Sequence, residues 1–286
     1  MLRKLRRLLP GRFGQVAPFV PVVRLAGAIG ITTPLKPGLS LAGVASALER
    51  AFADKTAAAV AIIVNSPGGS PVQSHLIFQR IRAHAEESGL KVLVFVEDVA
   101  ASGGYMLALA GDEIIVDPSS IVGSIGVVSA SFGFDRLIEK IGIDRRVYTA
   151  GDRKVALDPF QPEQAGDVRR LKALQRDVHD AFIDLVRSRR GELIRGEDRL
   201  IFSGEFWSGR RAIELGLADR IGDLRSVMRE RYGEKVVLRP VAVDRSPWRW
   251  RSASVGALAG GPAATGLAEE AIAALEERAL RARFGL

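Results

Sequence analysis

The sequence predicts an α/β fold built on a largely parallel sheet, and three observations carry that reading. Short apolar runs of strand length alternate with segments of helical periodicity from Val20 to Val243. Runs such as Ala59 to Val64 and Lys91 to Val96 are continuously apolar rather than alternating, as strands covered on both faces are. Two glycine turns, at Ser66-Pro67-Gly68-Gly69 and Ser102-Gly103-Gly104, stand where a strand gives way to a helix.

Taken in order, Val20 to Ile31 is the first strand, and Ser40 can cap a helix over Leu41 to Asp54 with Leu41, Val44, Leu48 and Phe52 on one face. Strand Ala59 to Val64 leads to helix Val72 to Glu87, with Leu76, Ile77 and Ile81 inward, and strand Lys91 to Val96 delivers the chain to Ser102. A short helix, Gly103 to Ala110, and strand Glu113 to Val116 follow. The turn and strand Gly123 to Val127, helix Asp135 to Ile141 and strand Arg145 to Thr149 come next. Glu163 to Arg190 is a long charged helix, and Ser208 to Leu215 a shorter one that Gly216 ends. Helix Ile221 to Tyr232 and strand Val236 to Val243 complete one catalytic domain, 20–245. A basic amphipathic segment, 1–19, precedes it, and an Ala/Gly/Ser linker with a tail helix over Gly266 to Arg283, 246–286, follows.

The chain has 286 residues, 47% of them hydrophobic and 26% charged, enough to bury a sizeable core. Zero cysteine excludes disulfides, thiolate catalysis and cysteine metal sites. The net charge of +8 comes mainly from arginine, since eight of 41 basic residues are lysines. Such an excess suits nucleic acid, anionic lipid or acidic partners, but no nucleic-acid motif or aromatic interleaving is present, and no nucleic acid is expected. No uncharged run reads as a membrane span, because Thr56 to Gln79 is broken by Asn65, Pro67, Gly68, Gly69 and Pro71. In Met1 to Pro10, Leu2, Leu5, Leu8 and Leu9 face away from four cations, a pattern suited to peripheral contact with an anionic membrane as well as to a basic tail.

The chemistry centres on Ser102. A serine at a strand-to-helix turn, beside a second glycine turn that exposes backbone N–H groups, has what acyl transfer needs. Only three histidines exist, His75, His84 and His179, so the base is not expected to be an imidazole. Glu97 and Asp98 read as a polar strand end rather than an acid/base pair. No cluster has metal-ligand spacing, and the Gly68-Gly69 turn fits neither the dinucleotide nor the P-loop pattern, so no metal or cofactor is expected.

Four motifs occur in order: Asn65-Ser66-Pro67-Gly68-Gly69, Ala101-Ser102-Gly103-Gly104-Tyr105, Gly123-Ser124-Ile125-Gly126-Val127 and Gly151-Asp152-Arg153-Lys154. With Trp207-Ser208-Gly209-Arg210-Arg211-Ala212 and Gly216-Leu217-Ala218-Asp219, they resemble the signal-peptide peptidase A (protease IV) family, in particular its short SohB-like members. The resemblance spans about residues 20 to 240. It implies a ClpP/crotonase-like fold and a serine peptidase with a Ser–Lys dyad. Carried onto this chain, Ser102 is the nucleophile, Lys154 the general base, Ser124 the hydroxyl that orients the lysine, and the N–H groups of Gly69 and Gly103 the oxyanion hole. Arg153 stands where family members often carry an aromatic residue.

A base lysine must be neutral, whereas a free lysine side chain titrates near 10, so this role demands apolar burial or neighbouring cations. The expected function is hydrolysis of extended apolar peptides, such as remnant signal peptides or membrane-protein fragments. The expected assembly is a homo-oligomer whose subunits share active sites. The expected location is the bacterial inner membrane, bound peripherally on the cytoplasmic side, with the periplasm as alternative. A crotonase-like acyl-CoA enzyme and an inactive membrane-associated scaffold are the rival readings.

Overall fold

The computed structural model describes residues 17–31, 38–151 and 153–243. The basic N-terminal helix and the linker and tail helix expected after 245 lie outside the described residues.

One eight-stranded sheet organises the chain, in the order β6-β5-β3-β2-β1-β8, with β4 pairing β3 and β7. Its strands are β1 (Phe19–Ala26), β2 (Val60–Ser66), β3 (Val92–Ala101), β4 (Glu113–Val116), β5 (Ile121–Gly123), β6 (Phe206–Ser208), β7 (Arg220–Ile221) and β8 (Val237–Val241). Every pairing is parallel except β5 with β6. The parallel α/β fold of repeated strand–helix units expected from the sequence is the fold observed.

Both faces of the sheet are covered. On one face Val23, Leu25, Ile62, Val64 and Val94 form a core with helices α1 (Leu41–Phe52), α2 (Pro71–Ser88) and α3 (Gly103–Ala108). On the other, Val20, Val22, Ala61, Leu93 and Phe95 pack with Val227 and Met228 of a later helix, Leu224–Tyr232. Continuous rather than alternating hydrophobicity in these strands follows from that double cover. Ser40 caps α1, its Oγ accepting the Gly43 N–H at 3.3 Å, and Pro71 opens α2 behind the Ser70 cap.

The long strand β3 divides its edge. Leu93 to Val96 pair with β4, and Val99 to Ala101 pair with β5. That fork sets Gly123 beside Ala101, one residue before Ser102.

After β5 come α4 (Asp135–Lys140), α5 (Ala165–Arg190), α6 (Asp198–Ile201), α7 (Gly209–Glu214) and α8 (Leu224–Tyr232). The motif Gly216 to Asp219 fastens α5 and α3 to the sheet. Arg190, 5% exposed, donates to the Gly216 carbonyl and to both Asp219 carboxylate oxygens at 2.9 Å. Asp219 accepts the Ile114 N–H at 2.7 Å, and the Tyr105 hydroxyl donates to the Leu217 carbonyl at 2.8 Å. Burial pushes the Tyr105 hydroxyl well above the usual tyrosine range, keeping it a neutral donor.

Several elements differ from expectation: β3 runs on to Ala101 rather than ending at Val96, and Arg220–Ile221 is a strand ahead of the helix expected from Ile221. The first strand ends at Ala26 rather than Ile31, because Gly27 turns the chain with φ 103°. The Gly123–Val127 segment leaves the ladder after Gly123, and β5 lies before it. The strand expected over Arg145 to Thr149 does not form: these residues pair with no described strand and are mostly exposed. Their β-branched and aromatic side chains favour a strand only where an edge is available to pair with. From Gly126 through Ala181, no described residue is buried. This arm is held to itself by the Arg145–Asp158 ion pair at 2.9 Å, by Phe134 against Phe160 at 5.7 Å, and by the Phe134 N–H bonded to the Pro159 carbonyl at 2.5 Å.

Candidate active site

Ser102 sits between β3 and α3 with φ 51° and ψ −122°. Positive φ is uncommon for a residue with a side chain and costs about 1–3 kcal/mol, so the surrounding structure has to hold it. Here the Ser102 N–H donates to the Gly123 carbonyl at 2.8 Å, and its carbonyl accepts the Tyr105 and Met106 N–H groups at 2.9 and 3.1 Å. A serine on a sharp strand-to-helix turn of this kind presents its hydroxyl outward. The Ser102 hydroxyl has no hydrogen-bond partner among the described residues.

The second glycine turn closes on it. Gly68 and Gly69 have φ 105° and 142°. A methyl group on Gly69 would stand 2.1 Å from the Ile29 carbonyl oxygen, so only glycine fits. One on Gly103 would stand 2.3 Å from Ser74 Oγ and 3.4 Å from the Gly69 nitrogen, and one on Gly104 2.2 Å from the Ser66 carbonyl oxygen. The two turns therefore meet closely, with the Gly69 nitrogen near Gly103. Neither glycine's N–H has a described acceptor, whereas their neighbours do: the Gly68 N–H reaches Ser66 Oγ and the Ser70 N–H reaches the Ile29 carbonyl. Unengaged N–H donors beside a serine hydroxyl can stabilise the oxyanion that forms on a carbonyl oxygen when the hydroxyl attacks its carbon.

The structure also brings in residues the sequence reading passed over. Ser74, wholly buried on α2, lies under Gly103 and donates to the Ser70 carbonyl at 2.8 Å. Its signal was the Ser70–Ser74 helical spacing directly after the glycine turn. Asn65, 7% exposed, donates to Asp98 at 2.7 Å, and Glu97 is engaged by Arg24. Glu97 and Asp98 lie not at a strand end but in the middle of β3, where the strand passes from β4 to β5. His179 donates from Nε2 to the Ile125 carbonyl at 3.0 Å, and His84 stacks on Phe52 at 5.5 Å.

Ser124 is half-buried, has φ 53°, and donates its N–H to the Glu205 carbonyl at 2.7 Å. Lys154 lies on the arm, exposed, and its amine has no partner among the described residues. The fork of β3 brings Ser124 next to the serine turn, but no described residue buries Lys154. Nearby on the arm, the Phe160 N–H and the Arg145 guanidinium hold the Asp158 carboxyl below the usual carboxylate range.

Comparison with known proteins adds the chemistry's family. A protein of Brucella abortus named Na(+)/H(+) antiporter NhaA is 57% identical over 99% of this chain, which covers 39% of that protein. The probable protease SohB of Haemophilus influenzae is 32% identical over 63% of this chain and 50% of its own length. The chain thus spans half or less of these two relatives. Among solved structures, a membrane-bound stomatin-specific protease is similar with TM-score 0.47 and 17% identity, covering 80% of this chain and 99% of that one. The Brucella relative corrects the expected peripheral location, cytoplasmic or periplasmic. That relative, 39% of whose length this chain covers, is named for an Na(+)/H(+) antiporter, not for a protein bound to the membrane surface. No helix among the described residues is long and apolar enough to cross a membrane. The family model for peptidase family S49 matches residues 84–237, which include Ser102, Ser124, Lys154 and the Gly216–Asp219 corner. With more than half of its length matched, this chain belongs to peptidase family S49.

Proposed function

We propose that the chain is a serine endopeptidase working through a Ser102–Lys154 dyad, with the lysine supplied by a neighbouring copy. The observation that carries the reading is the strained Ser102 turn, with a free hydroxyl beside the unengaged N–H groups of Gly69 and Gly103. In the first step Ser102 Oγ attacks the scissile carbonyl carbon while the neutral Lys154 amine takes the hydroxyl proton. The carbonyl oxygen becomes an oxyanion that accepts hydrogen bonds from Gly69 and Gly103. Collapse breaks the C–N bond, Lys154 returns the proton to the leaving amine, and an ester remains on Ser102. Water then attacks the ester, again losing its proton to Lys154, and releases the acid and Ser102. Ser124 would hold the amine in line. The extended substrate would lie along residues 124–128, where the half-buried Val127 and exposed Val128 offer apolar surface to signal-peptide or membrane-protein fragments.

Sharing of the site follows from solvation. A lysine in water is charged and cannot take the proton, and Lys154 is exposed in one chain. The arm that carries it also exposes Val128 at 74%, Phe132 at 78% and Tyr148 at 91%. Exposed apolar side chains of this kind can mark an interaction surface, and docking of the part of the arm around Phe132 and Tyr148 on a second copy would strip water from Lys154.

The test is complementation. Ser102→Ala and Lys154→Ala chains should each be inactive toward apolar peptides, and mixing them under conditions of verified subunit exchange should restore part of the activity. A fluorophosphonate probe should label Ser102 in the wild-type protein only. Mixtures that stay dead despite exchange would refute the shared dyad, and labelling elsewhere would refute the nucleophile.

A further inference from the structure

A cleft of about 270 Å³ opens between the segment that follows β5 and the N-terminal half of α5, lined by Val127, Lys172, Gln175, Arg176 and His179. The four α5 residues recur at the three- and four-residue spacing that puts them on one helix face. His179 is committed, its Nε2–H bonded to the Ile125 carbonyl at 3.0 Å, which ties this helix face to the Ser124–Gly126 turn. Lys172 and Arg176 are exposed, and neither has an ion-pair partner among the described residues. Most of the other described arginines of the C-terminal half are paired: Arg187 with Asp198, Arg190 with Asp219, Arg211 with Glu214 and Arg220 with Glu230. Two unpaired cations and a carboxamide therefore face one concavity.

The cleft lies on the path of the reaction. Gly123 is bonded to Ser102, and Val127 follows it by four residues, at most about 13 Å of extended chain. A peptide strand lying along residues 124–127 thus reaches the cleft three or four residues from its scissile bond. Resting on the peptidase reading above, we infer that this cleft is a subsite for a carboxylate of the substrate, gripped by Lys172 and Arg176 with Gln175 as an additional donor. The guanidinium can bind a carboxylate through two parallel hydrogen bonds, and the ammonium adds a point charge. The carboxylate comes either from an acidic side chain or from the free C-terminus of a short fragment. In both cases the apolar character of the substrate is confined to the residues between the cleft and the serine.

The experiment uses the full chain and amidated, fluorescently labelled apolar peptides in which a single Glu or Gln is moved from two to five residues on either side of the cleavage site. The same peptide truncated to end at each position, as acid or amide, separates the C-terminal source from the side-chain source. Cleavage by the wild type should favour Glu over Gln, or acid over amide, about tenfold at one position or two adjacent ones three or four residues away. In Lys172→Gln/Arg176→Gln the ratio should fall to about one, and in Lys172→Glu/Arg176→Glu a lysine peptide should be preferred instead. Anisotropy with the Ser102→Ala chain should show the same position-dependent preference in binding. Equal cleavage of Glu and Gln peptides at every position overturns the subsite and leaves the peptidase reading standing. A uniform preference for acid at all positions is the +8 net charge acting at long range and overturns it as well. If the wild type cleaves no peptide while binding to the Ser102→Ala chain keeps the cation-dependent preference, the carboxylate site stands and the peptidase reading falls.

Discussion

Replacing Gly103 by alanine tests the oxyanion geometry where it is tightest. The added methyl would meet Ser74 Oγ at 2.3 Å and Ser74 Cβ at 3.3 Å. Ser74 is wholly buried and its hydroxyl is bonded to the Ser70 carbonyl at 2.8 Å, so it cannot swing away without losing that bond, worth about 1 kcal/mol. Overpacking of this kind costs about 1–3 kcal/mol, and alanine's better helix propensity offsets about 0.5–1 kcal/mol. A net loss of about 1–2 kcal/mol in urea unfolding is expected. Relief by movement of α3 would carry the Gly103 N–H away from the oxyanion position, and loss of one such donor lowers kcat by about 10²–10³-fold. Removing the obstructing oxygen should reverse much of this: in Ser74→Ala/Gly103→Ala the closest approach relaxes to the 3.3 Å contact with Cβ. The double variant should then be about as stable as Ser74→Ala alone, with a coupling of about 1–2 kcal/mol and most of the peptidase activity recovered. Additive stability losses, or a Gly103→Ala enzyme with wild-type kcat, would refute the proposed close packing of the two turns around a shared oxyanion site.

Three further outcomes are expected. Lys154→Arg should be as inactive in peptide hydrolysis as Lys154→Ala, since a guanidinium carries charge without basicity at any working pH; appreciable turnover in the arginine variant would remove Lys154 as the base. Phe132→Ser/Tyr148→Ser should lower the mass seen by light scattering and the activity together while leaving the circular dichroism unchanged, and an assembly of wild-type size would clear the arm of any role in association. Asp223 caps α8, accepting the Arg225 and Ser226 N–H groups at 2.9 and 3.0 Å, and hydrogen bonds from Ser226 hold its carboxyl below the usual carboxylate range. A lowered folded-state pKa stabilises above the unfolded value, near 4, and the gain is lost as pH falls through the folded value. Asp223→Ala should therefore cost about 0.5–1 kcal/mol at neutral pH, small because the cap is exposed, and less as pH falls through the folded value; a cost that persists undiminished in acid would assign it to something other than the ionised cap.

The serine turn and its glycine partner were legible in the sequence because each is a short run of residue types directly after an apolar strand. Their meeting was not: Gly69, Gly103 and Gly104 are crowded at 2.1 to 2.3 Å by Ile29, Ser74 and Ser66, residues roughly 30 to 40 positions away. The parallel sheet was legible for a similar reason, since strands covered on both faces cannot alternate. The arm was not. Phe132, Leu137, Ile141, Ile143 and Tyr148 carry the same apolar signal as core residues, and the pattern specifies that they be covered without specifying by which molecule. The expected strand at Arg145 to Thr149 failed on that point: its side chains suit a sheet, but they pair with no described strand. The same ambiguity falls on Lys154, whose place in the motif order could be read while its solvation could not. Whether an amine is base or bystander is decided by what excludes water from it, and on an arm with no buried residue among those described from Gly126 to Ala181 that cover is not written in the neighbouring sequence.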